Sequence, residues 1–224
     1  MEQQRSSVFS LILVPAIITL AVTILRAVGE LQQWSETFFS RSAGGGGAIV
    51  GIVWLAFIFA IYFAVKLTSR GEVFQSTGKA IGINILALVL LVGGSYLMVG
   101  GGDFKFSPMM AAGLLVLVIS LIVMRFAWPA YWNVMLAYAL AARIPVIVVY
   151  FLAIRGNWGT HYDALPQGAT DATFGGWMPK FMILGLVPQL LFWIPVTVVV
   201  CGLLGVITAA VRKRGVAPAQ GGGE

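Results

Sequence analysis

The chain has 224 residues, of which 59% are hydrophobic and only 10% are charged, with a formal net charge of +6. Soluble domains carry about 25% charged residues, so this composition excludes an ordinary soluble domain. Recurrent apolar runs of about twenty residues instead indicate a polytopic membrane protein. The basic residues lie scattered at the ends of those runs, without an interleaved aromatic patch, so the positive charge does not indicate nucleic-acid binding.

The apolar runs predict one all-α membrane domain over residues 1–214, a bundle of six transmembrane helices, followed by a disordered tail at 215–224. The predicted spans in chain order are about 8–29, 47–66, 79–99, 108–127, 130–154 and 180–211. We interpret the first as an uncleaved span because its apolar stretch of 18 residues is longer than the apolar region of a signal peptide.

The placement of lysine and arginine predicts the orientation. If the N-terminus is cytoplasmic, eight of these residues lie inside, four lie outside and two lie within spans. Inside segments of membrane proteins carry the excess of positive charge. The pattern therefore predicts that both termini are cytoplasmic and that the protein resides in the cytoplasmic (inner or plasma) membrane, with the lipid bilayer as its surroundings.

The connections between the spans carry three further predictions. Residues 30–43 predict a short interfacial helix, with Leu31, Trp34 and Phe38 on one face. The short segment "RFAWPAYW" contains Pro129, which breaks the helix, and predicts that the fourth and fifth spans form a tight antiparallel hairpin. The long, aromatic loop at 155–180 is predicted to rest on the outer interface.

Arg143 is the strongest candidate for a functional residue. It lies near the middle of the fifth span, about 18–20 Å from either end. A central arginine costs about 2.5–3.5 kcal/mol on insertion scales, and it cannot shed its charge. It therefore needs acceptors, and the candidates include Asn84, Tyr138, Gln189 and the Ala141 carbonyl that Pro145 leaves without a backbone donor. We expect the fifth and sixth spans to pack together with Arg143 between them.

Three interpretations of Arg143 stay open at this point. It could bond inward and lock a kinked helix in place. It could face a cavity and bind an anionic lipid or an anionic solute. It could also pair with an acidic residue of a partner subunit. Near the outer end of the first span, Arg26 and Glu30 are four residues apart, a spacing that favours an ion pair within the helix.

The outer loop supplies a second set of candidates, His161, Asp163 and Asp171. All three side chains can bind metals, and the His-x-Asp spacing is local. A stable site needs three or four fixed ligands, however, and no further ligand is nearby in sequence. We therefore predict no metal site and no cofactor.

The predicted spans contain no Asp, Glu or His apart from Glu30 at one edge, which disfavours proton coupling through carboxylates. No zinc-protease or phosphate-loop motif occurs. Three functional classes remain. The first is a non-enzymatic membrane component such as an assembly subunit, scaffold or lipid-interacting protein. The second is a small transporter or channel for an anionic or neutral solute that uses Arg143 and the proline-broken sixth span, and the third is an enzyme that acts on lipid at the outer face through His161 and Asp163. The second class predicts a hydrated cavity that reaches Arg143.

Overall fold

The computed structural model describes residues 8–45, 47–100 and 106–216, and within these ranges it contains helices, turns and no strand. The α-helices, in chain order, are α1 (Val8–Leu31), α2 (Val53–Ser69), α3 (Thr77–Val99), α4 (Pro108–Met124), α5 (Pro129–Gly156), α6 (Asp171–Phe174), α7 (Trp177–Lys180) and α8 (Ile194–Val216). Two π-helical segments, Phe181–Leu186 and Pro188–Trp193, connect α7 to α8. Of the tail predicted to be disordered, 217–224 lie outside the described residues, and the two residues before them end α8.

Within the described residues, four helices are long and apolar enough to cross a membrane, by length and composition: α1, α3, α5 and the last helical run, Trp177–Lys213, which includes both π segments. The remaining apolar helices, α2 and α4, have 17 residues each. At about 1.5 Å per residue they are about 25 Å long, at the lower limit for a membrane span. The prediction of an all-helical fold is therefore confirmed for the described residues, and four of the six predicted spans correspond to helices that are long and apolar enough to cross a membrane.

The helices begin and end at residues whose chemistry explains the boundary. Ser76 and Ser107 are N-caps, and each side-chain oxygen accepts a hydrogen bond from the backbone N–H three residues later. Pro129 occupies the first turn of α5, where its missing N–H costs nothing. Asn157 ends α5 in the left-handed conformation, with φ of 48°.

Helix α8 is central to the bundle, because it packs against α2, α3, α4 and α5. Helices α3 and α4 meet through glycines. A Cβ atom added to Gly113 would come within 2.4 Å of the Met98 backbone nitrogen, and one added to Gly94 would come within 3.0 Å of the Gly113 carbonyl. Small residues permit such close contact between membrane helices. Helix α1 packs mainly against α5, and most of its remaining surface is exposed.

The predicted interfacial helix after the first span is wrong. Residues 32–42 form turns and bends, and the chain leaves α1 through Gln33, whose φ is 53°. The segment folds back onto α1 because Gly29 has no side chain: the Phe39 ring lies where a Cβ atom of residue 29 would be. Further turns, with positive φ at Gly45 and Gly47, delay the start of α2 to Val53 instead of residue 47.

The predicted hairpin of the fourth and fifth spans is also wrong. Their connection is as short as expected, and the Trp132 indole N–H donates to the Leu121 carbonyl across it at 2.8 Å. Beyond that point the two helices diverge. Helix α4 packs against α3 and α8, whereas α5 packs against α1, α2 and α8. The expected packing of the fifth span on the last helical run is confirmed, and it positions the site described next.

Candidate functional site

The last helical run changes its winding where it faces α5. In the first π segment, the Val187 N–H donates to the Met182 carbonyl, five residues back. Pro188 follows immediately and has no N–H to donate. Gly185 lets this wider helix approach α5, since a Cβ atom there would be 3.0 Å from the Tyr150 Cβ. The second π segment then carries Gln189 and Trp193, and π segments inside helices often mark functional sites.

Arg143 meets the second π segment through two contacts. Its Nη1 donates to the Gln189 Oε1 at 3.1 Å, and its guanidinium carbon lies 4.8 Å from the centre of the Trp193 ring. The side chain is buried, as is that of Gln189. Within the part of the chain that the structure describes, no carboxylate pairs with Arg143, and its hydrogen bond goes to Gln189 and not to the Ala141 carbonyl.

The other two sequence candidates for contact with Arg143 lie elsewhere. Tyr138 is buried, and its hydroxyl is 2.9 Å from the Thr19 hydroxyl, so it links α5 to α1. Asn84 donates to the Ala80 carbonyl within its own helix at 2.9 Å. Its Oδ1 lies at the contact with Gly202 of α8, and it is buried without a hydrogen-bond partner among the described residues.

Two cavities adjoin at this site. The first has a volume of about 300 Å³, is bounded by α1, α5, residues 44–45 and 47–54, the outer loop and the second π segment, and is called the polar cavity because Arg26 and Arg143 line it. The second, the apolar cavity, has a volume of about 390 Å³ and lies between the outer-loop ends of α3 and α4 and the π segments. Both are partly open, and they share Tyr150, Gln189 and Trp193 as lining residues. Arg143 therefore lines a cavity, although only 6% of its surface is exposed.

A three-residue charge cluster of Arg26, Glu30 and His161 lies beside the polar cavity, which Arg26 and His161 line. Arg26 Nε donates to Glu30 Oε1 at 2.8 Å, which confirms the ion pair expected from their spacing. The fully buried Glu30 also binds His161 of the outer loop: Oε2 accepts from the His161 backbone N–H at 2.8 Å, and Oε1 lies 2.6 Å from Nδ1. Arg26 further donates to the Gly45 carbonyl at 3.0 Å. Through these contacts the cluster holds the segment around Gly45 and the outer loop against the end of α1.

The charges of this cluster largely cancel. Burial lowers the pKa of His161 below its ordinary value and outweighs the opposite effect of its hydrogen bond to Glu30. His161 is therefore neutral near pH 7, and the Arg26 charge is balanced by Glu30. Burial likewise raises the pKa of the neighbouring Tyr162 hydroxyl, which stays protonated. Arg143 is thus the charge in the polar cavity that no protein carboxylate balances among the described residues.

The three outer-loop candidates are not brought together. His161 binds Glu30 as described above. Asp163 accepts hydrogen bonds from the Gly159 and Thr160 backbone N–H groups at 2.9 and 2.7 Å, and so stabilises a turn. Asp171 lies largely exposed and pairs with Lys180 at 2.9 Å. Across residues 8–45, 47–100 and 106–216, no three His, Cys, Asp or Glu side chains are grouped so that they could hold a metal ion.

Three residues of the site lay beyond the sequence candidates: Trp193, Tyr150 and, as a partner of His161, Glu30. Trp193 lies four residues after Gln189, so the helical period could have placed it on the same face. The Glu30–His161 contact joins residues 131 positions apart, and no local pattern indicates it. Comparisons of this chain with protein-family models, with curated proteins and with solved structures gave no match.

Proposed function

We propose that this protein is a small membrane transporter for an anionic solute, with Arg143 as the residue that binds the anion. The proposal includes six membrane crossings, with α2 and α4 as short spans, and two cytoplasmic termini. The single observation that carries it is the partly open cavity of about 300 Å³ that reaches the buried Arg143, a charge without a carboxylate partner in the described chain.

The charge of Arg143, which no carboxylate of the described chain balances, favours an anionic ligand. A guanidinium presents five N–H groups, and one of those of Arg143 is used by Gln189. A carboxylate, sulfonate or phosphate could accept two of the others in a bidentate arrangement. A permanent cation in a low-dielectric environment is costly unless it is paired, so a bound anion would relieve this cost.

The broken helix supports transport over static binding. The polar cavity is lined by Gln189 and Trp193 of the second π segment, and the adjoining apolar cavity is lined by Pro188 and by Ile183 and Leu184 of the first. Both π segments belong to a helical run that is long enough to cross a membrane. Transporters typically place such interrupted helices at the substrate site, because irregular backbone at membrane depth is tolerated where it lines a cavity.

The orientation rests on the lysine and arginine count, and two contacts agree with it. Arg212 donates to the Ser69 hydroxyl at 3.2 Å, and Lys213 donates to the Phe74 carbonyl at 2.8 Å. These basic residues therefore lie at one end of the bundle with the connection between α2 and α3. Arg155 and Lys180 lie at the other end, with the outer loop.

The alternative of a lipid-modifying enzyme gains no support from the geometry. His161 Nδ1 lies against Glu30, and Asp163 accepts hydrogen bonds from its own turn. The two side chains thus have separate structural partners.

The test is uptake of radiolabelled butanesulfonate, which is permanently anionic, into liposomes that contain the purified protein. We expect uptake by the wild type and by the Arg155→Gln control, which removes a positive charge from the outer end of the same helix. Arg143→Gln should fall to the level of empty liposomes. No uptake by the wild type above empty liposomes, or equal uptake by Arg143→Gln, would overturn the proposal.

A further inference from the structure

The two adjoining cavities differ in chemistry, and this difference bears on the kind of anion that fits. The polar cavity contains Arg143, Arg26, Thr23 and backbone groups of the glycine-rich turn. The apolar cavity is lined in part by aliphatic and methionine side chains of α3, α4, the first π segment and the residue that follows it. These are Met98, Val99, Met110, Ile183, Leu184 and Val187.

We propose that the ligand is a single-chain amphiphilic anion, whose acidic head group binds Arg143 and whose alkyl chain occupies the apolar cavity. The inference rests on the proposed function and narrows its substrate class. Gln189 and Trp193 line both cavities, so the cavities adjoin at these two side chains, and the proposal places the chain of a molecule bound at Arg143 past them in the apolar side.

The size of the cavities favours one chain. Their volumes of about 390 and 300 Å³ are at the lower end of the range of about 300–1,000 Å³ that is typical of small-molecule sites. The apolar side would gain little from a compact hydrophilic anion, because burial of polar groups without partners is unfavourable. An alkyl chain instead releases the water that would otherwise cover those side chains.

The position of the apolar cavity provides a route of entry. Val99 and Leu184 both line it. Val99, the last residue of α3, is 68% exposed, and the proposal places lipid chains around this end of the α3–α4 pair. An amphiphile dissolved in the bilayer could therefore enter sideways, chain and head together, whereas a hydrophilic anion would have to enter through the outer loop.

The experiment is calorimetric titration of the protein in lipid nanodiscs with methane-, butane-, hexane- and octanesulfonate, after subtraction of empty nanodiscs. We expect the affinity to rise about fourfold per added methylene group until the cavity is filled. Octanoate and octyl phosphate serve as further arms that distinguish a carboxylate from a phosphate head. The uncharged octyl glucoside should bind at least tenfold more weakly than octanesulfonate.

Variants separate the head from the chain. Leu184→Trp fills the apolar cavity and Val187→Thr inserts a hydroxyl there; both should flatten the chain-length dependence while methanesulfonate still binds. Met182→Trp is the matched control, since Met182 belongs to the same π segment, is exposed and lines neither cavity. It should keep the wild-type series.

The outcomes distinguish the two proposals. If every sulfonate binds with equal affinity and Arg143→Gln abolishes binding, the proposed function stands and the amphiphile inference is wrong. If no sulfonate binds, or if octyl glucoside binds as well as octanesulfonate, both are wrong. A chain-length dependence that Leu184→Trp and Val187→Thr leave intact would overturn the placement of the chain and therefore the inference.

Discussion

Gln189→Glu places a carboxylate at the atom that already accepts the Arg143 hydrogen bond, with almost no change in shape. In the wild type this contact is 3.1 Å long and neutral on the Gln189 side. If Arg143 attracts a ligand anion, the new carboxylate competes with that anion for the guanidinium. If Arg143 only locks the last helical run to α5, the same change replaces one polar contact by an ion pair and leaves ligand binding unaffected.

The magnitude follows from the geometry. A ligand anion on the free side of the guanidinium would lie about 6 Å from the new carboxylate, so at an effective dielectric constant of about 20 their repulsion is about 3 kcal/mol. Since every 1.4 kcal/mol is a factor of about ten in the dissociation constant, we expect binding of octanesulfonate to weaken by about 100-fold. Stability should change little, because the attraction in a buried ion pair is largely offset by desolvation.

The assay is the nanodisc titration with octanesulfonate, together with a thermal melt of each variant. Gln167→Glu is the matched control, since it makes the same change at an exposed position of the outer loop and should bind like the wild type. If Gln189→Glu binds octanesulfonate within threefold of the wild type while its melting temperature is unchanged, Arg143 is not the residue that binds the anion.

Three further predictions concern the fold and the outer loop. Gly113→Ala should destabilise the protein by about 1–3 kcal/mol in a denaturation assay, because its Cβ atom would clash with the α3 backbone. In the control, Gly93→Ala, the new Cβ atom meets no neighbouring atom within 4 Å, and the protein should be stabilised by about 0.5–1 kcal/mol. A loss of stability at both positions would contradict the close α3–α4 contact through Gly113. The pKa of His161 is lower in the folded protein than its ordinary value of 6.5, so the unfolded chain binds more protons. The contribution of His161 to stability should therefore be fully present above pH 6.5 and should fall as the pH decreases below that value. In His161→Gln the melting temperature should lose this dependence between pH 7 and 5, and a slope equal to that of the wild type would contradict the prediction. Asp171→Asn removes the ion pair with Lys180, in which the Asp171 carboxylate is largely exposed. The loss of stability measured by the melting temperature should correspond to less than about 1 kcal/mol. A larger loss would show that this ion pair is a main contributor to the stability of the loop.

Much of the helical architecture could be predicted from the sequence because apolar runs directly report helices of membrane-spanning length. The α5 prediction of 130–154 lies inside the observed Pro129–Gly156, and the last predicted span lies inside Trp177–Lys213. Gln189 was one of several candidate acceptors for Arg143, since a buried guanidinium needs acceptors, but the sequence did not distinguish it from Asn84, Tyr138 or the Ala141 carbonyl.

The failures have a common physical cause, because long-range contacts overrode local patterns. Residues 30–43 have an amphipathic helical pattern, yet Phe39 packs on Gly29 and the chain turns back. The short connection after α4 indicated a hairpin, yet both neighbouring helices pack against α8. The partnership of Glu30 and His161 depends on the fold that brings the outer loop to the end of α1, which no local spacing reveals.

The central claim is that a ligand can reach Arg143 and Gln189 in the polar cavity. The reactivity of a cysteine at position 189 toward a thiol reagent tests this claim most directly. The only cysteine of the chain, Cys201, is buried, so Gln189→Cys in a Cys201→Ser background can be titrated with sulfonatoethyl methanethiosulfonate, an anionic thiol reagent, in nanodiscs. Ser120→Cys in the same background is the control, since Ser120 is fully buried on α4 and lines neither cavity. We predict rapid modification at position 189, slowed by octanesulfonate, and almost none at position 120. If the cysteine at position 189 were as unreactive toward the reagent as the cysteine at position 120 in the folded protein, the claim that a ligand reaches this cavity would be wrong.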